Sequence, residues 1–271
     1  MRLAVITSSN AKALPGGETL ALSGFNYDLL VWDEAGIDGL SRYDCILVRT
    51  CWDYHLKYPA FRSWLDQLAN SGLNVVNPVQ SLVWNSTKNY LLDLMEIGIP
   101  VVPTYKSNQL AMMMADFPDQ DDFIVKPLVS ATAFNLEKVR RADIENSALE
   151  PDVIVQPFIK EIHENGEWSL IYFDNFFSHA VLKKPKPQEF RVQSDFGGTV
   201  EFTNPPDIVS KLADLVVARL PVRPHYCRVD VVKTKAGALL MEIEMVEPEL
   251  FIEGPLAISN YKRFVGGLSK K

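Results

Sequence analysis

The sequence has few cysteines: Cys45, Cys51 and Cys227 are the only three, and no two form a CxxC pair. An odd, scattered set argues against a disulfide framework and against a thiolate zinc site. Histidines number four, and no Ser–His or Cys–His arrangement stands out, so a nucleophilic triad is not indicated. No run reaches the roughly 18 consecutive apolar residues of a membrane span. The opening MRLAVITSSN is too short for a signal peptide and reads as a strand. These absences set the expectations of a cytoplasmic location and no membrane partner. Positive charge is not in surplus either: 27 Lys and Arg face 34 Asp and Glu, a net charge of −7. That balance argues against a broad nucleic-acid face, while leaving room for a local basic pocket. Internal repeats and low-complexity tracts are missing as well.

What is present is the composition of a globular protein, 47% hydrophobic and 23% charged. RLAVITS, YDLLVWD, YDCILVRT and LNVVNP read as short strands, with PAFRSWLDQLANSG as a helix between the last two. Residues 11–24 read as a loop and then a helix. Strands alternating with helices predict a small, mostly parallel α/β layer. A second unit begins near Gln80. STKNYLLDLMEIGIP reads as a helix capped by Ser86 or Thr87, and FIVKPLV and DVIVQPFI as buried strands. EWSLIYFDNFFSHAVLK reads as a hairpin turning at Asp174–Asn175, and PDIVSKLADLVVARL as an amphipathic helix. YCRVDVVKTKAGALLMEIEMV reads as a second hairpin turning around Lys235 to Gly237. SNYKRFVGGLSKK reads as a short terminal helix.

The chemistry concentrates in that second hairpin. Strand alternation puts Glu242 and Glu244 on one face, with Met241 and Ile243 on the other. Antiparallel pairing then sets Asp230 opposite Glu242 and Arg228 opposite Glu244. Three carboxylates so close need compensation, and a hard divalent cation such as Mg²⁺ supplies it. A solvated strand face with Lys or Arg neighbours is the alternative, and spacing alone weighs the two about equally. Lys126 stands in a buried strand, either aimed into a nucleotide cleft or snorkelling from a strand end. Lys88 alone reads as a helix-surface charge. Lys183, Lys184, Lys186 and Arg191 form a basic turn that is either solvated or a polyphosphate site.

In this order, these pieces resemble the ATP-grasp superfamily. The likeness is to the glutathione synthetase and ribosomal-protein glutamate ligase branch, which includes the cycloserine-pathway cyclo-ligase. The resemblance implies an α/β fold, with a parallel pre-grasp domain over residues 1–84. A two-lobed ATP-grasp domain with antiparallel sheets follows over 85–271, its lobes divided near 156–158. It implies that Lys88 and Lys126 contact ATP phosphates, and that Gln156, Pro157 and Phe158 mark the hinge whose backbone reads adenine. It implies further that Glu167 binds ribose, that Lys183 and Arg191 lie near the nucleotide, and that Asp230, Glu242 and Glu244 hold Mg²⁺. One or two ions are implied, with Mn²⁺ as a substitute. Arg228 would neutralise the reacting acyl phosphate, with Lys126 and Arg191 as further catalytic groups. Two departures stand out. Glu244 replaces a common Asn, and the loop VSATAFN after Lys126 has no glycine.

The activity implied is an ADP-forming ligase that activates a carboxylate as an acyl phosphate and joins it to an amine. Its partners would be small molecules, and homodimers are common among such proteins. A non-turnover ATP-binding module and a phosphotransferase acting on a hydroxyl are the alternatives. On the substrate side, VRTCWDYH closes a strand, where ligands of α/β layers gather. Arg49 is suited to a carboxylate, and Trp52, Asp53 and Tyr54 to an amino-acid-sized pocket. The alternative puts Trp52 in the core and Asp53 at a cap, and the binding reading is favoured for Arg49 and Asp53. Glu247 is a candidate for the amine, whereas Glu249 reads as solvated.

Overall fold

The computed structural model describes residues 1–11, 13–145, 149–187, 189–192 and 196–268. Strands β1 (Arg2–Thr7), β2 (Asn26–Val31) and β3 (Cys45–Thr50) form a parallel sheet in the order β2-β1-β3. The expected fourth strand is reduced to one bridge, Val75 beside Ile46. Pro78 follows, supplies no N–H to a ladder, and caps the helix Val79–Asn85. The helix Tyr58–Ser71 buries Phe61, Trp64, Leu65 and Leu68, the residues its periodicity selects, and ends on Gly72 at φ 70°. The helix Gly16–Leu22 follows a loop, as expected of residues 11–24.

Two antiparallel sheets make up the rest. Strands β4 (Tyr105–Lys106), β5 (Asp122–Pro127), β6 (Glu137–Arg140) and β7 (Val153–Pro157) are ordered β4-β7-β5-β6. Strands β8 (Glu167–Phe173), β9 (Phe176–Lys184), β10 (Thr199–Phe202), β11 (Tyr226–Lys233) and β12 (Ala238–Glu244) are ordered β10-β9-β8-β11-β12. The β8–β9 turn uses Asp174 and Asn175 at φ 50° and 67°, a conformation their short polar side chains tolerate. The helix Asp207–Arg219 packs Val209, Leu212, Ala213, Val216 and Val217 into the core behind β8, β11 and β12. The last helix, Gly254–Gly267, begins several residues earlier than the sequence suggests.

Two expectations need correction. The helix Tyr90–Glu96 is capped at Asn89, while Ser86 closes the preceding helix by donating its N–H to the carbonyls of Leu82 and Val83. Lys88 therefore lies in the link between two helices, its backbone N–H donating to Leu128 O at 2.7 Å. The second concerns β12. Pairing with β11 is Arg228 to Glu244 and Asp230 to Glu242, but Val231 pairs with Leu240, which leaves Met241 as an extra residue. The bulge breaks strict alternation. Leu240 and Ile243 enter the core, and Met241 joins Glu242 and Glu244 along the cleft.

Two asparagines knit the layers together. Asn77 Nδ2 donates to the carbonyls of Tyr226 (3.0 Å) and Met245 (2.9 Å), and its Oδ1 accepts the N–H groups of His225 (2.7 Å) and Tyr226 (3.0 Å). Asn85 Nδ2 donates to Ile243 O at 2.7 Å, and its Oδ1 accepts Met245 N–H at 2.6 Å. These side chains act as a substitute strand for the ends of β11 and β12. Asn77→Ala strands four backbone groups in a site only 1% exposed. Chemical denaturation is expected to show a loss of about 3 kcal/mol.

Candidate active site

A cavity of about 420 Å³ is lined by residues of both antiparallel sheets, and by Trp52 and Tyr54, which follow β3 of the parallel layer. β5 contributes Ile124 and Lys126, and β7 contributes Gln156 and Pro157. β8 contributes Glu167, β9 Lys183, and β11 Arg228 and Asp230. Residues two apart on a strand share a face, which is why Ile124 and Lys126, and Arg228 and Asp230, point into one space, whereas Gln156 and the adjacent Pro157 reach it at the end of β7.

Asp230, Glu242 and Glu244 offer carboxylate oxygens that all lie within 4.8 Å of one another. Burial pushes the Asp230 carboxyl up, but the charges of Arg228 and Lys183 and the hydrogen bonds from Arg228 and Ser169 outweigh it and hold it below the ordinary range. Arg228 donates through Nε to Asp230 Oδ1 at 3.0 Å and through Nη2 to Asp230 Oδ2 at 2.9 Å, and its Nη2 also reaches Glu244. Burial likewise raises Glu242, and Lys88 and Lys126 more than reverse it. Glu244 goes the other way: burial, beyond what Arg228 offsets, pushes it up to about 7, with Glu242 and Asp230 adding to the rise.

Among the described residues six carboxylates line the cavity, counting Glu167, Glu247 and Glu249 with these three. Five cations face them, Lys88, Lys126, Lys183, Arg191 and Arg228, and Arg191 is already paired with Glu189. The surplus is negative and made of hard oxygen donors, a set that fits a divalent cation.

Lys88 Nζ is ion-paired with Glu242. Lys183 Nζ is paired with Glu167, its cross-strand neighbour, and lies 3.7 Å from Asp230. Lys126 has no hydrogen bond or ion pair to its ammonium among the described residues, and burial lowers its pKa against the pull of Glu242. Arg191 donates to Glu189 at 2.7 Å and lies 3.6 Å from the centre of the Phe196 ring.

At the hinge, Gln156 Nε2 donates to Thr104 Oγ1 at 2.8 Å. Phe158 already uses its backbone groups within the fold. Its N–H already donates to Asp122 O at 3.0 Å, and its carbonyl accepts Gln120 Nε2 at 3.1 Å. Pro157 has no N–H. Neither can donate a backbone N–H to a purine edge. The neighbouring Ile159, with Ile124, Ile162, Val200 and Met241, gives this end of the cavity apolar walls.

The stretch VRTCWDYH reaches the cavity through different residues than expected. Arg49 is fully buried and spent on Glu18, donating to its two oxygens at 2.7 and 2.9 Å. Asp53 accepts Trp32 Nε1 at 2.8 Å. Neither lines the cavity, and Trp52 and Tyr54 do. A basic residue on an all-buried strand is as well explained by an internal acid as by a ligand, and sequence offers no sign that the partner is Glu18. Glu249, read as solvated, is half-buried on the wall. Ser169 was missed altogether. Its hydroxyl donates to Asp230, and only strand register marks it, since it pairs with Asp230 across β8 and β11.

Comparison with known proteins agrees with this architecture. Residues 5–77 match the family of the N-terminal domain of D-cycloserine synthetase DcsG. The cycloserine biosynthesis protein DcsG of Streptomyces lavendulae is 26% identical over 250 residues, 84% of this chain and 83% of the relative. The crystal structure of D-cycloserine synthetase DcsG superposes with a TM-score of 0.83 at 22% identity, covering 100% of this chain and 99% of the other. A RimK domain ATP-grasp protein from Sphaerobacter thermophilus DSM 20745 gives 0.69 at 17% identity, covering 98% and 100%. The mixed fold, a parallel sheet followed by antiparallel sheets, is that of ATP-grasp proteins.

Titration with Mn²⁺ followed by electron paramagnetic resonance tests the fit of the carboxylate triad. Wild type is expected to bind the ion. Asp230→Asn and Glu242→Gln are each expected to weaken it by more than about tenfold, since outer-shell partners alone are worth that much.

Proposed function

This chain has the ATP-grasp fold and is similar to the cycloserine-pathway ligase, and from that premise we propose that it is an ATP- and Mg²⁺-dependent ligase. On this reading it activates a substrate carboxylate as an acyl phosphate and joins it to an amine, releasing ADP and phosphate. The observation that carries it is the meeting, in one cavity, of the Asp230, Glu242 and Glu244 triad with Lys88, Lys126, Lys183 and Arg228. The lobes are proposed to divide near residues 156–158, within a unit that runs from residue 85, after a pre-grasp unit over 1–84.

Attack of a carboxylate on a phosphate brings two anions together, and the barrier is largely electrostatic. Asp230, Glu242 and Glu244 are the residues that would hold Mg²⁺, which supplies charge neutralisation at the phosphates. Among the described residues Lys126 is the cavity cation with no carboxylate to release, so it is the one most readily offered to a phosphate oxygen. Lys88 and Lys183 become available to the nucleotide as their carboxylates turn to other partners. Arg228 holds Asp230 and Glu244 in place and stands where negative charge builds on the acyl group. No side chain needs to act as a nucleophile.

One observation favours a second reading, a nucleotide-binding module without turnover. The glycine-free loop after Lys126 carries Thr132, Ala133 and Asn135 at φ 53°, 55° and 50°, a conformation costly for side-chain-bearing residues. A loop held this way closes less freely than a glycine-rich one.

ADP release in the presence of ATP, Mg²⁺ and pooled amino acids and dipeptides separates the readings. The ligase reading expects release that depends on a carboxylate in the pool and is abolished in Glu242→Gln. Silence with every pool, alongside thermal stabilisation by ATP, would favour the binding module.

A further inference from the structure

The loop after β12 carries two glutamates in contrasting states. Its three carbonyls in succession are held by three side chains from different parts of the fold. Trp52 Nε1 donates to Glu247 O at 3.2 Å, Arg49 Nη2 to Pro248 O at 3.2 Å, and Arg228 Nη1 to Glu249 O at 3.3 Å. Arg49 is itself locked by Glu18, whose Oε1 also accepts the Tyr261 hydroxyl at 2.6 Å. The backbone here is therefore fixed by buried anchors, and the directions of its side chains are fixed with it.

Within this clamp the Glu249 carboxylate is occupied, accepting the Phe251 N–H at 3.1 Å. The Glu247 carboxylate is not. It is 8% exposed and lines the cavity, and among the described residues no hydrogen bond or ion pair reaches it. Nor is it one of the three carboxylates clustered closely enough to share an ion. The nearby cations are spoken for: Lys88 on Glu242, and Arg228 on Asp230 and Glu244. Burial and the charge of Glu244 push the Glu247 carboxyl well above the ordinary range, as expected of an acid without a partner. The aromatic side chains of Trp52 and Tyr54 line the same end of the cavity, and such rings favour a neighbouring cation.

We propose that Glu247, beside Trp52 and Tyr54, is a subsite for a protonated nitrogen on the small-molecule substrate, so that the preferred acids carry a free ammonium. A buried carboxylate lacking a partner is expensive, and a ligand ammonium supplies both the charge and the donors. Charge and hydrogen bonding at one such contact discriminate strongly against an analogue that lacks the nitrogen. Arg49 then acts as a positioning residue through Pro248. The inference rests on the ligase reading for its location but not for its test.

The test measures binding and turnover separately on the full chain. Alanine, serine and 2,3-diaminopropionate, each as both enantiomers, are compared with propionate (for alanine and 2,3-diaminopropionate) and 3-hydroxypropionate (for serine). Binding is read by thermal shift with Mg²⁺ and a non-hydrolysable ATP analogue, and turnover by ADP release. Wild type is expected to prefer at least one ammonium-bearing acid over its nitrogen-free counterpart by about tenfold or more. Glu247→Gln should abolish that preference while keeping stabilisation by the ATP analogue. Glu247→Asp should retain the preference at reduced affinity. Equal response to both classes, no response to any ammonium-bearing acid, or full preference in E247Q would each overturn the proposal. ADP release from nitrogen-free acids alone would sink this inference and leave the ligase reading standing. Ammonium-selective, Glu247-dependent binding without ADP release would do the reverse.

Discussion

The site depends on the register of β11 and β12, which sets Asp230 against Glu242 and Arg228 against Glu244. One guanidinium spans two of the three triad carboxylates in that arrangement. Removing one partner from such a buried group leaves a charge costing roughly 3–5 kcal/mol, so the register is enforced by charge as well as by the apolar pattern. The Met241 bulge belongs to the same device. It lets β12 send Leu240 and Ile243 into the core while presenting Met241, Glu242 and Glu244 to the cavity. Asn77 and Asn85 secure the ends of this hairpin, where none of the described strands does so.

Within the cavity most of the charges meet an opposite one, Lys88 with Glu242, Lys183 with Glu167, and Arg228 with Asp230 and Glu244. On the proposed reading, a metal–nucleotide pair brings both signs of charge and lets these partners exchange without stranding any of them. That resolves the main objection to so many ionised groups in one cavity, since a cavity holding only cations or only acids would pay the full desolvation cost. Glu247 stands outside the exchange. Among the described residues its carboxylate has no hydrogen bond or ion pair, and it is not a member of the triad, so on the proposed reading its complement is the other substrate.

Much of this was legible from residue spacing. Alternation along two strands and a turn near Gly237 were enough to place Asp230 opposite Glu242, because antiparallel pairing propagates from the turn. Helix periodicity selected Phe61, Trp64, Leu65 and Leu68 for burial. The failures share a cause, namely that partners distant in sequence are invisible to local pattern. Arg49 looked like a ligand contact because Glu18 and Tyr261 lie far from it in the chain. Asp53 looked free because its donor is Trp32. Ser86 looked like a helix start because the helix before it was not recognised. The Met241 bulge had no local mark such as a glycine, so alternation was read straight through it.

The proposed chemistry depends on where Lys88 and the triad point once nucleotide is present. A crystal structure with Mg²⁺ and a non-hydrolysable ATP analogue measures this directly. It is expected to show metal on Asp230, Glu242 and Glu244, with Lys88 moved from Glu242 to a phosphate oxygen. Nucleotide bound elsewhere, or bound here with the Lys88–Glu242 pair intact and no metal on the triad, would contradict it.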